Sequence, residues 1–114
     1  SMTYSHGAVV SIPDPYDRRP SRPAVVVSDE QCPDYGDRYT VAALTSSDRY
    51  GEHPYAVTIE ADEPASGELL TQSFLELWAT YRIAHGDVRA MHARLNAATM
   101  KRIATAYAEM VLRG

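Results

Sequence analysis

The sequence has little of what holds many small extracellular proteins together. Cys32 is the only cysteine among the 114 residues, so neither an intramolecular disulfide nor a cysteine-based zinc site is available. No apolar run exceeds four residues, and the first residues lack the basic-then-apolar pattern of a secretory signal. We therefore expect no membrane-spanning helix and a location in the cytosol. Ser1 before Met2 is expected to be the remnant of a purification tag.

Size and charge narrow the possibilities further. A chain of 114 residues with 45% hydrophobic content predicts one compact domain over residues 1–114. The net charge of −4 argues against a protein that coats nucleic acid nonspecifically, because such binding neutralises many phosphates at once. Arg18, Arg19 and Arg22 form one basic cluster, whereas acidic residues dominate 29–37 and 60–68. No other segment of this length has three basic residues.

Two apolar, β-branched segments predict strands at residues 21–28 and 41–46, and the turn-forming residues between them predict a hairpin. In an antiparallel pair the indices of opposed residues have a constant sum, and the register we expect sets Arg22 opposite Thr45. A guanidinium and a hydroxyl would then lie side by side at the open end of the hairpin. That pair of groups is suited to holding a phosphate.

The remaining pattern is that of a mainly β protein with one C-terminal helix. Further strands are predicted at 8–12, 55–59 and 73–78, the last continuing or turning into 81–83. From Asn96, the expected N-cap, the apolar period becomes helical. Periodicity alone permits a small barrel and other β-rich folds with helices. The predicted apolar stripe of the helix consists of Met100, Ile103, Ala104, Tyr107, Met110 and Val111.

Several short motifs occur in a recognisable order. They are Gly-Ala-Val-Val at 7–10, Arg-Pro-Ala-Val-Val-Val-Ser at 22–28, Ala-Leu-Thr-Ser at 43–46, and the segments 67–70 and 73–75 before the terminal helix. In this series the chain resembles the MazF/PemK toxins of bacterial and archaeal toxin–antitoxin systems. The resemblance implies a small SH3-like barrel related to the CcdB toxins. It covers nearly the whole chain.

The resemblance also implies an activity, namely metal-independent, sequence-specific cleavage of single-stranded RNA. The ribose 2′-hydroxyl attacks the adjacent phosphate, leaving a 2′,3′-cyclic phosphate and a 5′-hydroxyl. Arg22 corresponds to the family's catalytic arginine and Thr45 to its catalytic threonine. The group that accepts the 2′-hydroxyl proton stays unassigned. A homodimer and an acidic cognate antitoxin with a disordered tail are the implied partners.

Further residues are candidates for contact with RNA. Tyr16, Arg18 and Arg19 could stack a base and hold phosphates, as single strands are commonly bound. Ser46 and Ser47 follow Thr45, where they are also expected to shape the turn. The family's usual Gln and Arg-Thr after the predicted fifth strand are replaced here by Ala-Thr-Tyr-Arg at 79–82, so the recognised RNA sequence is expected to differ. Trp78, the single tryptophan, is predicted to pack in the core or at a dimer interface.

Neither a metal nor a cofactor is expected. The four histidines are scattered, and His53 is the best placed as a proton acceptor because it lies in the loop after Thr45. The aspartates near the basic cluster lack the paired arrangement of a magnesium site. A purely structural interpretation makes Arg22 a surface ion-pair partner. The ion-pair partner of Arg22 would then be either Asp17 or Asp48. The histidines considered are His6, His53, His85 and His92, and the aspartates considered are Asp14, Asp17 and Asp48.

Two other functions are compatible with the pattern. A gyrase poison of the CcdB type would use the C-terminal helix rather than Arg22 for contact with its target. A noncatalytic barrel-type interaction module would keep the fold but use Arg22 and Thr45 only to bind phosphate or to pack. Cleavage of RNA by the purified protein separates both from a nuclease.

Overall fold

The computed structural model describes residues 2–113, and within them the chain forms seven strands and one α-helix. The predicted class, mainly β with a C-terminal helix, is confirmed. A short 3₁₀ turn at His85–Asp87 precedes the last strand. The elements are β1 Ala8–Pro13, β2 Ser21–Val26, β3 Arg38–Thr45, β4 Ala56–Ile59, β5 Ser66–Gly67, β6 Ser73–Ala84, β7 Ala90–Arg94 and α1 Ala97–Arg113.

All seven strands belong to one curled antiparallel sheet with the order β4-β6-β3-β2-β1-β7-β5. Of the two possibilities that the sequence left open for the fifth strand, continuation is confirmed, because β6 runs on through residues 81–83 without a turn. The pairing of β6 with β3 is interrupted by a bulge between Ala42 and Ala43. Bulges bend and twist a strand, which helps the sheet to curl into a half-barrel.

The predicted hairpin register is confirmed where β2 and β3 pair. Ala24 lies opposite Ala43, and Val26 lies opposite Val41, the offset that the alternation of the two segments predicts. The same sum of indices sets Arg22 level with Thr45 beyond the paired residues. Both residues therefore lie at the end of the sheet where β1 ends, β2 begins and β3 ends.

Alternate residues of the strands fill two apolar clusters, one on each face of the sheet. Val25, Leu44 and Leu75 belong to the inner cluster, against which α1 packs. Val26 and Tyr39 belong to the outer cluster. Since side chains alternate along a strand, Arg22 and Thr45 project on the same side as the outer cluster.

Helix α1 packs through a stripe that differs slightly from the predicted one. Ile103 is buried, and Met100, Ala106, Tyr107 and Met110 pack against the inner cluster. Ala104 and Val111 were expected on this stripe and are exposed, because the helix turns its Ala106 side toward the sheet. No helix of the described chain is long and apolar enough to cross a membrane.

The start of α1 is fixed by polar contacts. Asn96 is the N-cap, as predicted, since its Oδ1 accepts the amide of Thr99 at 2.8 Å. The Glu63 carboxylate accepts the Thr99 hydroxyl and also binds Arg102, with Nη1 and Oε2 2.7 Å apart. Arg102 Nη2 donates to the carbonyl of Thr58 at 2.6 Å. These bonds tie the first turns of the helix to β4 and to the segment between β4 and β5.

Candidate functional site

The loop that follows β1 is organised by one buried carboxylate. The Asp14 side chain has no exposed surface, and its two oxygens accept the backbone amides of Tyr16, Arg18 and Arg19 at 3.0 to 3.2 Å. The chain can turn around Asp14 because Asp17 adopts a left-handed conformation with φ +56°, which aspartate tolerates better than most residues. The backbone amide of Tyr16 has the largest effect on the pKa of the Asp14 carboxyl and lowers it. The amide of Arg18 and the charge of Arg22 lower this pKa as well, so it lies below its usual range although burial raises it.

Arg22 is anchored by the same carboxylate. Its Nε donates to Asp14 Oδ1 at 3.2 Å, and its guanidinium lies 4.9 Å from the centre of the Tyr16 ring. The structural interpretation of the sequence offered Asp17 or Asp48 as its partner, and that prediction is wrong, because the folded loop brings Asp14 to Nε instead. Within residues 2–113, the two terminal nitrogens of Arg22 have no hydrogen-bond partner. They are available to an anion.

Thr45 ends β3 and begins a tight turn. Its Oγ1 accepts the amide of Ser47 at 3.1 Å, and Ser47 Oγ in turn accepts the amide of Arg49 at 3.3 Å. Each hydroxyl accepts in these bonds and so keeps its own proton for donation. Ser46 and Ser47 are exposed and shape the turn, as expected from the sequence.

Arg22 and Thr45 line one open cavity of about 460 Å³. Of the predicted RNA-contacting residues, Arg19 and Ser46 also line it, whereas Tyr16, Arg18 and Ser47 lie outside its lining. Tyr16 is instead a half-exposed ring that contacts Arg22 on the other side of the loop. The cavity therefore brings two cationic groups and two hydroxyls to one place. This is a suitable setting for a phosphodiester.

The far wall of the cavity was not predicted from the sequence. It contains Ser11, Glu68 and His92, and Ser11 Oγ lies 2.5 Å from His92 Nε2. Gly67 lets this wall form, since at φ +65° its Cα packs so closely on the His92 carbonyl that a Cβ would collide with it. His53, which seemed the best placed histidine, lies outside the cavity lining and packs on Trp78.

Glu76 is a buried carboxylate on the outer side of β6, only 8% exposed. Burial raises the pKa of its carboxyl, against the opposing effect of the Arg22 and Arg49 charges. Burial likewise raises the pKa of Tyr81 to about 12, with a further contribution from its neighbour Tyr16. The described residues offer Glu76 no hydrogen-bond partner.

Trp78 lies on the same outer side of β6, and the prediction that it packs in the core is wrong. It is 42% exposed, because β6 turns Leu75 and Leu77 into the inner cluster and leaves the alternate residues outside. Its placement at a dimer interface stays a prediction. In the part of the chain that the structure describes, no three histidine, cysteine or acidic side chains are grouped as metal ligands.

Comparisons with known proteins agree with this architecture. A family model described as the PemK-like, MazF-like toxin of type II toxin–antitoxin systems matches residues 7–111. No curated protein sequence matches the chain closely enough to count as a relative.

Solved structures share the fold at low sequence identity. A mycobacterial endoribonuclease in complex with its cognate antitoxin is 20% identical with a TM-score of 0.75, over 94% of this chain and 93% of that one. The Mycobacterium tuberculosis toxin MazF-mt6 is 18% identical with a TM-score of 0.73, over 91% and 95%. A MazE–MazF structure from Deinococcus radiodurans is 17% identical with a TM-score of 0.71, over 97% of both chains. The predicted toxin-type barrel is thereby confirmed.

Proposed function

The chain belongs to the PemK-like, MazF-like toxin family of type II toxin–antitoxin systems, and on that premise we propose that it cleaves single-stranded RNA at the cavity lined by Arg22 and Thr45. The observation that supports this proposal is the state of Arg22. Asp14 binds the Arg22 Nε and fixes the orientation of the guanidinium, while the terminal nitrogens have no partner among residues 2–113 and Arg22 lines the same cavity as Thr45. A preoriented donor of this kind favours charge that develops on a phosphate.

The proposed reaction needs no bound metal. The ribose 2′-oxygen bonds to the adjacent phosphorus, the bond from phosphorus to the 5′-oxygen of the next nucleotide breaks, and the departing 5′-oxygen takes up a proton. The products are a 2′,3′-cyclic phosphate and a 5′-hydroxyl. Arg22 stabilises the negative charge on the nonbridging oxygens, and Thr45 donates a hydrogen bond to the same oxygens.

The proton of the attacking 2′-hydroxyl requires an acceptor. Arginine is a poor base because its pKa lies above about 12. His92 lines the same cavity, and imidazole is the side chain that most often accepts protons in enzymes near neutral pH. We assign this role to His92, held in place by Ser11.

Partners follow from the same membership. Of the structures that share this fold, one is described as an endoribonuclease in complex with its cognate antitoxin and another as a MazE–MazF structure. We infer that this chain forms a homodimer and that a cognate antitoxin with an acidic, disordered segment covers the cavity. Light scattering of the purified protein tests the dimer, and a monomer at micromolar concentration would contradict it.

The experiment incubates the purified protein with a long single-stranded RNA in EDTA and maps the new ends. We expect cleavage at one recurrent short sequence, with cyclic phosphate ends. Arg22→Ala should lower the rate about 1,000-fold and His92→Ala about 100-fold, since both remove groups used in the transition state. Arg113→Ala, which removes an exposed arginine at the end of α1, is the matched control and should cleave at the normal rate.

The outcomes separate the candidate functions. A folded wild-type protein that leaves RNA intact would overturn the nuclease proposal and favour a gyrase poison or a noncatalytic module. Cleavage that survives Arg22→Ala would place the chemistry elsewhere. Full activity in His92→Ala would show that His92 is not the proton acceptor, but would leave the rest of the proposal standing.

A further inference from the structure

An exposed aromatic cluster lies beside the proposed cleavage site and has no role in the chemistry described above. Trp78 on β6 is 42% exposed and Tyr50 in the loop after β3 is 39% exposed, with ring centres 5.3 Å apart and planes at 84°. His53 lies 4.9 Å from Trp78. The Arg49 guanidinium lies 5.1 Å from the Tyr50 ring centre. We call these four residues the aromatic platform.

The platform is fixed in place before any ligand binds. Consecutive turns order the loop, with the amide of Gly51 donating to the Asp48 carbonyl and that of His53 to the Tyr50 carbonyl, both at 2.9 Å. The amide of Leu77 on β6 donates to the Tyr55 carbonyl at 3.1 Å, which holds the loop against the strand. An aromatic surface ordered in this way binds with little loss of conformational freedom.

The platform is continuous with the phosphate site. The hydrogen bonds from Ser47 to Thr45 and from Arg49 to Ser47 lead directly from the Thr45 hydroxyl to the platform. On the strand side, Thr45 pairs with Phe74, and Trp78 lies four residues further along β6. At about 3.3 Å per strand residue, Phe74 and Trp78 are at most about 13 Å apart along β6, so a short stretch of single strand can reach both Thr45 and Trp78.

A third group on this side can accept a hydrogen bond from a ligand. The Glu76 carboxylate lies between Phe74 and Trp78 along the outer side of β6, is more than nine-tenths buried, and lacks a hydrogen-bond partner among residues 2–113. Its oxygens keep some contact with solvent, since no fully buried side-chain oxygen among residues 2–113 lacks a hydrogen-bond partner, and a ligand can therefore reach them. Exocyclic amino groups of adenine, cytosine and guanine donate to carboxylates, whereas uracil has no such group.

We propose that Trp78 and Tyr50 stack an unpaired nucleobase of the RNA next to the scissile phosphate, and that Glu76 accepts a hydrogen bond from the amino group of that base. The inference rests on the proposed function, since it takes RNA as the substrate. Stacking suits this surface better than contacts with further phosphates, because the exposed Asp48 and Glu52 of the same loop offset the charge of Arg49.

The test uses the single tryptophan as its own reporter. The probes are single-stranded 20-mers of 2′-O-methyl cytidine and 2′-O-methyl uridine, which differ at the amino group and lack the attacking hydroxyl. Titration of the wild-type protein should quench Trp78 emission, with cytidine binding at least about fivefold more tightly than uridine. The same 20-mers annealed to their complements should leave the emission unchanged.

Variants then separate stacking from other roles. By fluorescence anisotropy of labelled probes, Trp78→Ala and Tyr50→Ala should each raise Kd about tenfold, and Glu76→Gln should remove the preference for cytidine over uridine. Leu112→Ala, which removes an exposed apolar side chain on α1, is the control and should leave Kd unchanged. Circular dichroism confirms that each variant is folded.

The outcomes differ from those of the cleavage experiment. Unchanged RNA affinity in Trp78→Ala, with conversion of a dimer to a monomer in light scattering, would overturn the stacking site and make this surface a subunit interface. Equal affinity of the wild type for both probes would overturn the role of Glu76. Either result leaves the proposed nuclease activity standing. That activity would be overturned only by the cleavage experiment, if the wild-type protein produced no new RNA ends.

Discussion

Two carboxylates, Asp14 with no exposed side-chain surface and Glu63 with a side chain 17% exposed, each bind an arginine in a different region of the molecule, and they use the arginine differently. Glu63 pairs with Arg102 at the start of α1, where one terminal nitrogen binds the carboxylate and the other the Thr58 carbonyl. Asp14 pairs with Arg22 through Nε and leaves both terminal nitrogens facing a cavity. Both terminal nitrogens of the first guanidinium are bound by the protein. The second is held in place but unsaturated, which is the arrangement expected of a group that binds substrate.

Among changes to the carboxylates, the largest expected effect comes from replacing Asp14, which anchors Arg22 at the cavity. Asp14→Asn keeps the size of the side chain but loses its charge and one acceptor oxygen, so the loop amides and Arg22 Nε can no longer all be satisfied. Misplacement of Arg22 should lower the RNA cleavage rate about 100-fold. The measurement is single-turnover cleavage of the RNA that the wild type cuts.

Asp17→Asn is the matched control for this change, because it removes the same charge from the same loop. Asparagine adopts the left-handed conformation of residue 17 as readily as aspartate does. We expect a normal rate. If both variants lose activity equally, the effect is one of loop charge and not of the anchor.

The second change breaks the other carboxylate. Glu63→Ala removes the bonds to Thr99 and Arg102, and should lower the free energy of unfolding by about 2 kcal/mol while leaving cleavage at 25 °C unchanged. Urea denaturation measures the change. The control, Glu109→Ala, breaks an exposed ion pair on α1 and should cost less than about 0.5 kcal/mol.

Acid should erase this difference between wild type and variant. Burial alone would raise the pKa of Glu63, but the hydrogen bonds from Arg102 and Thr99 outweigh it and the pKa is lowered. The stabilisation is therefore complete above the ordinary value of 4.5 and is lost as the pH falls through the lowered one. A gap between Glu63→Ala and wild type that stays constant on acidification would show that the carboxylate charge is unimportant.

The sequence predicts those features that depend on local alternation and capping. The offset between Ala24 and Ala43, and the N-cap at Asn96, both follow from short-range patterns and are confirmed. Asp14 was missed as the partner of Arg22, because its contacts form only when the loop folds back on itself. His92 was missed because β7 has none of the β-branched or large aromatic residues that are typical of strands, and it owes its existence to pairing with β1.

The exposure of Trp78 is another feature that the sequence did not predict. A single tryptophan in a strand is most often buried, and the alternation of β6 around Leu75 and Leu77 was compatible with that expectation. The inner cluster is already filled by these two residues and by α1, so the outer side of β6 is left to Trp78. Which side of β6 is covered depends on contacts with elements far away in the sequence, so the local pattern of residues cannot predict it.

The smallest expected effect concerns a third carboxylate, Glu76, which accepts no hydrogen bond from an arginine among residues 2–113. Burial raises the pKa of Glu76 while Arg22 and Arg49 lower it only in part, so its ionised form destabilises the folded state. Glu76→Gln should raise the free energy of unfolding at pH 7 by less than about 1 kcal/mol. Since protonation relieves the same cost, the advantage of the variant should shrink as the pH falls through the raised pKa, a trend opposite to that of Glu63.

A stabilising substitution of Glu76 has a functional meaning. A protein keeps a carboxylate that weakens its fold when that carboxylate serves binding or catalysis, and functional sites are where stability is most often sacrificed. Urea denaturation between pH 5 and pH 8 gives the sign of the effect. If Glu76→Gln is less stable than wild type throughout, then Arg22 and Arg49 already stabilise the ionised Glu76, as the arginine partners of Asp14 and Glu63 stabilise those carboxylates. The stability data would then give no support to a nucleobase as the partner of Glu76.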